Sequence, residues 1–282
     1  MNSFASQVSF LLPYPPEGRV NIESFRVPSS SGTDLACIRF GEGPPLLLAH
    51  PLVFSKAYFA GAAAVFGEKF SCVAYDQRGH GDTTASTVSP AAMADDVGAV
   101  LDAMKWDKAA IGGTSLGAAS TLLFALRSPA RVAFLIQDLP GFGPASFRDP
   151  SKTSRIAASF EDADLEDAAR QITGGMSEPR AKAWTEALFN DWKNYDPKAL
   201  SNKLAWVLRN SSSWRIVGRW PDELQKLNGL PVRIFGVQGD PVHPWDTAQT
   251  MARTIKGARL SPRVQSLSAD AIARQWVDAL TT

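Results

Sequence analysis

The stretch Lys108-Ala-Ala-Ile-Gly-Gly-Thr-Ser115-Leu-Gly-Ala-Ala119 decides the fold. A short apolar run opens it, a glycine-flanked serine turns it, and a helical pattern carries on to Leu126. Within it Gly113-Thr114-Ser115-Leu116-Gly117 is a G-x-S-x-G placed between strand and helix. A sharp strand-to-helix turn lifts the serine Oγ above the sheet edge, and small residues are needed on either side because backbones approach closely there. The backbone N–H of Leu116, at the helix start, can then stabilise an oxyanion. Without its context the pattern would be a glycine-rich turn with a structural serine. The flanking strand and helix give it weight.

Working outward, the chain alternates extended and helical segments. Ile22–Val27 and Leu35–Phe40 are extended runs split by the turn Ser30-Ser31-Gly32-Thr33. Pro45–Ala49, Ser71–Tyr75, Val132–Gln137 and Val232–Val237 are short continuous apolar runs, the mark of strands buried on both faces. Ser55–Phe66 has a helical pattern. Ser89-Pro90 opens another helix, with serine as cap and proline at the first position, and Met93, Val97, Val100, Leu101 and Met104 form its buried face. In that helix Asp95 and Asp96 fall on the polar side and read as a solvated face. The β-α-β-α rhythm predicts a mostly parallel sheet flanked by helices on both faces.

From about Ser146 to Trp220 the rhythm breaks. Helical patterns dominate, together with Trp184, Trp192, Trp206, Trp214 and Trp220. The predicted organisation is a core of residues 1–145 and 221–282 with a helical cap inserted at 146–220. Most of these tryptophans serve to pack the insertion itself, while a few can face a pocket at the junction.

Bulk composition excludes several function classes. With 29 Lys and Arg against 28 Asp and Glu, the net charge of +1 gives no electrostatic reason to expect nucleic acid or an anionic membrane as partner. The apolar N-terminal patch lacks a basic leader and is interrupted by Pro15 and Pro16, so no signal peptide is expected. No apolar run reaches the length of a membrane span. A cytoplasmic protein with a small-molecule substrate is the expectation, with homo-oligomerisation left open. Cys37 and Cys72 read as buried thiols. The histidines and cysteines lack metal-ligand spacing and no dinucleotide or P-loop fingerprint follows a strand, so neither metal nor cofactor is expected.

The elbow at Ser115 resembles that of the α/β-hydrolase superfamily, and the resemblance extends over nearly the whole chain. His50-Pro51-Leu52 stands where that family has His-Gly-x, which implies the Leu52 N–H as a second oxyanion donor. Asp76-Gln77-Arg78-Gly79-His80-Gly81 is similar to the family's D-x-R-G-x-G turn, which is structural and makes His80 a loop-packing residue. Gly239-Asp240-Pro241-Val242-His243-Pro244 resembles the acid loop and implies Asp240 as the acid. Asp138, after the sixth strand, occupies an alternative acid position. His50, Trp184, Trp192 and Trp206 are the candidates for substrate contact.

One family element is missing. The catalytic histidine of the family lies roughly thirty residues past the acid, in a loop after the last strand. Here Gly257–Leu260 leads into that strand, and after Ser261–Ser268 the final helix begins at once, with Ser268 able to cap it. The chain holds three histidines, His50, His80 and His243, and none follows His243. A serine hydroxyl is a poor nucleophile unless a neighbouring base takes its proton.

Three readings stay open on the sequence. His243 can act as a displaced base for ester, thioester or lactone hydrolysis, with Asp240 or Asp138 orienting its ring, or it can simply be a residue at the start of the next helix beside Pro244. The pocket can do cofactor-free lyase, cyclase or isomerase chemistry with Asp240 as acid or base. Or the chain can be a non-catalytic relative that binds a ligand.

Overall fold

Alternating contacts from one set of strands build two cores on opposite faces of a single sheet. The computed structural model describes residues 20–141, 150–211, 217–240, 242–264 and 269–282. The N-terminal segment read above for a leader, the 146 boundary, Trp214, Pro241 and Ser268 lie outside them. Strands β1 (Ile22–Pro28) and β2 (Asp34–Phe40) pair antiparallel, and β2 pairs antiparallel with β4 (Ser71–Tyr75). From β3 (Pro45–Ala49) through β4, β5 (Ala109–Thr114), β6 (Val132–Asp138), β7 (Val232–Gly236) and β8 (Arg259–Pro262), every pairing is parallel. The order across the sheet is β1-β2-β4-β3-β5-β6-β7-β8.

Because successive strand residues face opposite sides, Leu47, Ala49, Val73 and Ile111 enter one core and Leu46, Leu48, Cys72 and Ala74 the other. The first core is closed by α3 (Pro90–Ala103), α4 (Leu116–Arg127) and α9 (Trp245–Thr254). The second is closed by α1 (Ala57–Ala60), α2 (Ala63–Gly67) and α10 (Ala269–Thr281), whose fully buried Trp276 lies over Gly112 where any side chain would collide with its ring. Ser89 caps α3 by accepting from the Ala92 N–H, with Pro90 first in the helix.

Two sequence expectations change here. The single helix expected over 55–66 is two short ones, divided at Gly61 and Ala62, with Phe59 and Phe66 both turned onto the sheet. Asp96 is buried rather than solvated: it takes both Nε and an NH2 hydrogen bond from Arg78, each at 2.7 Å. Helical spacing places a residue on a face but does not show that a loop arginine will cover that face. Asp95 is exposed and pairs with Arg127.

Between β6 and β7 run α5 (Pro150–Glu161), α6 (Leu165–Thr173), α7 (Glu178–Trp192) and α8 (Pro197–Ser211). Their apolar faces form a third core with Val53 and Phe54 from the loop after β3. Trp220 belongs with the sheet instead, packed beside Leu224 and Leu227. Polar ties seat this insert on the loops at the carboxyl ends of the strands. The Trp192 indole N–H donates to the Val53 carbonyl at 2.7 Å, Ser55 donates twice to Asp191, and Lys203 donates to the Gly81 carbonyl at 2.7 Å. No described helix is long and apolar enough to cross a membrane.

Candidate active site

Ser115 stands between β5 and α4 with φ 53° and ψ −108°, a region that costs an ordinary residue free energy and survives only where surroundings enforce it. The enforcement is visible. A side chain on Gly113 would collide with the Gly117 backbone, and one on Gly117 with the Ala49 carbonyl. The Ser115 N–H donates to the Asp138 carbonyl at 2.9 Å, and its own carbonyl accepts from Ala119. Its side chain makes no capping bond to α4. The hydroxyl is left for another partner.

That partner is His243. Its Nε2 lies 2.9 Å from Ser115 Oγ. The ring is aimed by its own loop: Asp240 Oδ1 accepts from the N–H groups of Val242 and His243 at 2.8 and 3.0 Å, folding the segment tightly ahead of α9. Asp240 Oδ2 lies 3.4 Å from His243 Nδ1. Burial by itself would raise the Asp240 pKa. The hydrogen bonds and charge of His243, with the two backbone donors, outweigh that and hold the carboxyl well below the usual range. Pro244 stands at the N-cap of α9, and the imidazole just before it turns to the serine.

Asp138 does something else. It is fully buried, and its Oδ1 accepts from Arg263 Nε at 2.7 Å while its Oδ2 accepts from the Thr114 hydroxyl. Arg263 follows directly on β8 and is itself buried, with Tyr58 Oη 3.4 Å from its NH2. The hydrogen bonds of both carboxylate oxygens thus run to Arg263 and Thr114 and not to His243. Where the resemblance implies a histidine after the last strand, this chain carries a structural ion pair.

The candidate contacts divide in the same way. His50 is fully buried, with Nδ1 2.8 Å from the Pro51 carbonyl and Nε2 accepting from the Gln77 N–H at 2.9 Å. Burial lowers its pKa to about 4. With both nitrogens engaged it fixes the loop after β3 and offers nothing to a substrate. His80 stacks edge-on at 5.0 Å, its pKa lowered to about 3 chiefly by burial. Trp192 is spent on Val53 and on Phe160, and Trp206 lies against Gly79. Trp184 borders a small cavity, shared with Phe54, Tyr58, Ala187, Arg263 and Ile272. Leu116 begins α4, and Leu52 lies in the turn after β3, followed by Val53 at φ 65°.

Two residues at the site escaped the sequence reading. Gly141, after β6, is so close that a side chain would crowd the His243 ring and come into contact with Ser115 Oγ. Arg180, on α7, donates to Asp240 Oδ2 at 2.7 Å. A Pro-Gly pair just past a buried strand was a signal for the first. For the second there was none, since nothing local links an exposed-looking helix arginine to a loop sixty residues on. Among the described residues no cluster of three or more His, Cys, Asp or Glu could hold a metal.

The family model for the alpha/beta hydrolase fold matches residues 44–261, and the chain belongs to that family. An abhydrolase domain-containing protein of Schizosaccharomyces pombe is 38% identical over 120 residues, a match covering 37% of this chain and 43% of that protein. The chain thus matches less than half the length of that curated relative. An alpha/beta hydrolase from Sphaerobacter thermophilus superposes with a TM-score of 0.70 at 23% identity, covering 91% of this chain and all of the other. The enol-lactonase of Burkholderia xenovorans gives 0.71 at 20% identity, again covering 91% and 100%. At these identities the likeness is one of fold.

Proposed function

We propose that this chain is a serine hydrolase acting on an ester, thioester or lactone of a small, mostly apolar substrate. Ser115 is the nucleophile, His243 the base and Asp240 the acid. The Leu116 and Leu52 N–H groups are the oxyanion donors. The observation that carries the reading is the 2.9 Å approach of His243 Nε2 to Ser115 Oγ, within the reach a general base needs. It also favours hydrolysis over the lyase and ligand-binding readings, which started from a serine with no base.

In the mechanism, His243 takes the Ser115 proton as Oγ attacks the carbonyl, and the tetrahedral oxyanion is met by the two backbone N–H groups. The imidazolium returns its proton to the leaving group. Water then attacks the acyl-enzyme with His243 again as base, the acyl C–Oγ bond breaks to release the acid, and the imidazolium returns the proton to Ser115 Oγ. Asp240, held ionised, fixes the ring and stabilises its charged form. Helices α5–α8 act as a cap over the loops at the carboxyl ends of the strands, and their apolar faces, packed on Val53 and Phe54 beside Leu52, suit a mostly apolar substrate. Esterase and lactonase names among the structural relatives agree with this class.

The test is a panel of p-nitrophenyl acetate, butyrate and octanoate, a short acyl thioester and γ-butyrolactone. We expect turnover on at least one short-chain member by the wild type and none above background by Ser115→Ala. A wild type no faster than that variant on every member would end the hydrolase reading.

A further inference from the structure

The carboxylate of Asp240 has a third claimant besides His243 and its own loop. Oδ1 is filled by the Val242 and His243 N–H groups, so Oδ2 is the oxygen left for the imidazole. Arg180 lies 2.7 Å from that oxygen, while His243 Nδ1 is at 3.4 Å, beyond the ordinary range for an N–H···O bond. The Asp240 side chain is 2% exposed and that of Arg180 25%. The pair is mostly buried, and it holds the same carboxylate oxygen that faces the imidazole.

The other polar ties of the insert described above run to the loops after β3 and β4. Arg180 instead joins α7 to the loop after β7 that carries Asp240 and His243. Among the described residues, these charged groups face the ring or stand near it. Asp240 is on its own loop and Arg180 on α7, and neighbouring Asp246 and Glu178 are exposed. On the sheet side Asp138 and Arg263 are paired with each other, and Gly141 and Ser115 bring no charge.

We propose that Arg180 is a positioning residue that shares Asp240 Oδ2 with His243, so that the seating of the insert sets how much of the acid's charge the imidazole receives. With α7 seated, the aspartate is divided between guanidinium and imidazole. With α7 drawn away, Oδ2 is released to Nδ1 and the ring becomes a stronger base. The word acid here rests on the hydrolase reading, but the contact and its effect on the ring do not.

The test reads the ring directly, by NMR titration of protein labelled at histidine, with His243 assigned through His243→Gln. His50 and His80 are held neutral by burial, with pKa values near 4 and 3, so neither contributes a titration above pH 5. Removing a nearby cation favours a protonated imidazole. Arg180→Gln is therefore expected to move the His243 titration to higher pH by about half a unit or more, while Arg180→Lys stays close to wild type. A titration unmoved in Arg180→Gln, or moved equally in both variants, overturns the proposal. Since no turnover is measured, that failure is distinguishable from failure of the ester panel. If the panel does turn over, the acidic limb of kcat/KM in Arg180→Gln is expected to move to higher pH with the resonance.

Discussion

Replacing His243 by alanine is expected to lower kcat/KM on a turned-over ester roughly 10,000-fold or more, about 5.5 kcal/mol of transition-state stabilisation. The hydroxyl 2.9 Å away would lose the group that accepts its proton, while the backbone donors at Leu52 and Leu116 would remain. Residues that act as one unit are not additive, so Ser115→Ala combined with His243→Ala is expected to be no slower than the serine variant alone. Asp240→Asn should also cost several orders of magnitude, because an amide cannot stabilise the imidazolium as a carboxylate does. Unchanged turnover in His243→Ala would leave the serine without this base. In the wild type, the pH profile of turnover should not report Asp240, whose carboxyl stays ionised far below the assay range.

The second large effect is on stability. Asp138→Ala strips the counter-charge from Arg263, a guanidinium 5% exposed as a residue and hydrogen-bonded to that carboxylate at 2.7 Å. Breaking a buried pair by removing one partner costs about 3–5 kcal/mol, because the remaining charge is stranded. For a chain of this size that corresponds to a fall in Tm of about 10 °C, readable by thermal unfolding. Replacing both partners, Asp138→Leu with Arg263→Met, is expected to recover much of the loss. If Asp138 were instead the working acid, Asp138→Asn would lower kcat as severely as Asp240→Asn. Asp138→Asn is instead expected to retain kcat within a few-fold.

What the sequence made legible follows from how local the signals are. Continuous apolar runs marked β3, β4, β6 and β7, and the glycines around Ser115 announced a turn that only small neighbours permit. The D-P-V-H-P segment put Asp240 and His243 at the right end of the sheet. It did not show which way the imidazole points, because that depends on two backbone N–H groups folding onto Asp240 Oδ1. The shortened stretch after β8 read as a loss. Its actual content, Arg263 paired with an aspartate 125 residues away, is a long-range contact without local pattern. The same limit explains Asp96 beneath Arg78 and Arg180 beside Asp240. Tryptophan spacing in the insert likewise indicates helices but not orientation, and it does not reveal that the Trp192 indole is bonded to Val53.

The central claim is that Ser115 is activated by a histidine carried on the acid loop rather than after the last strand. It is tested most directly by fluorophosphonate labelling followed by intact-mass and peptide analysis. The account expects a single adduct on Ser115 in the wild type and at least a hundredfold slower labelling in a folded His243→Ala variant, given the roughly 100- to 10,000-fold that a general base contributes. Labelling of Ser115 at equal rates in the two proteins, or no labelling of the wild type at all, would contradict it.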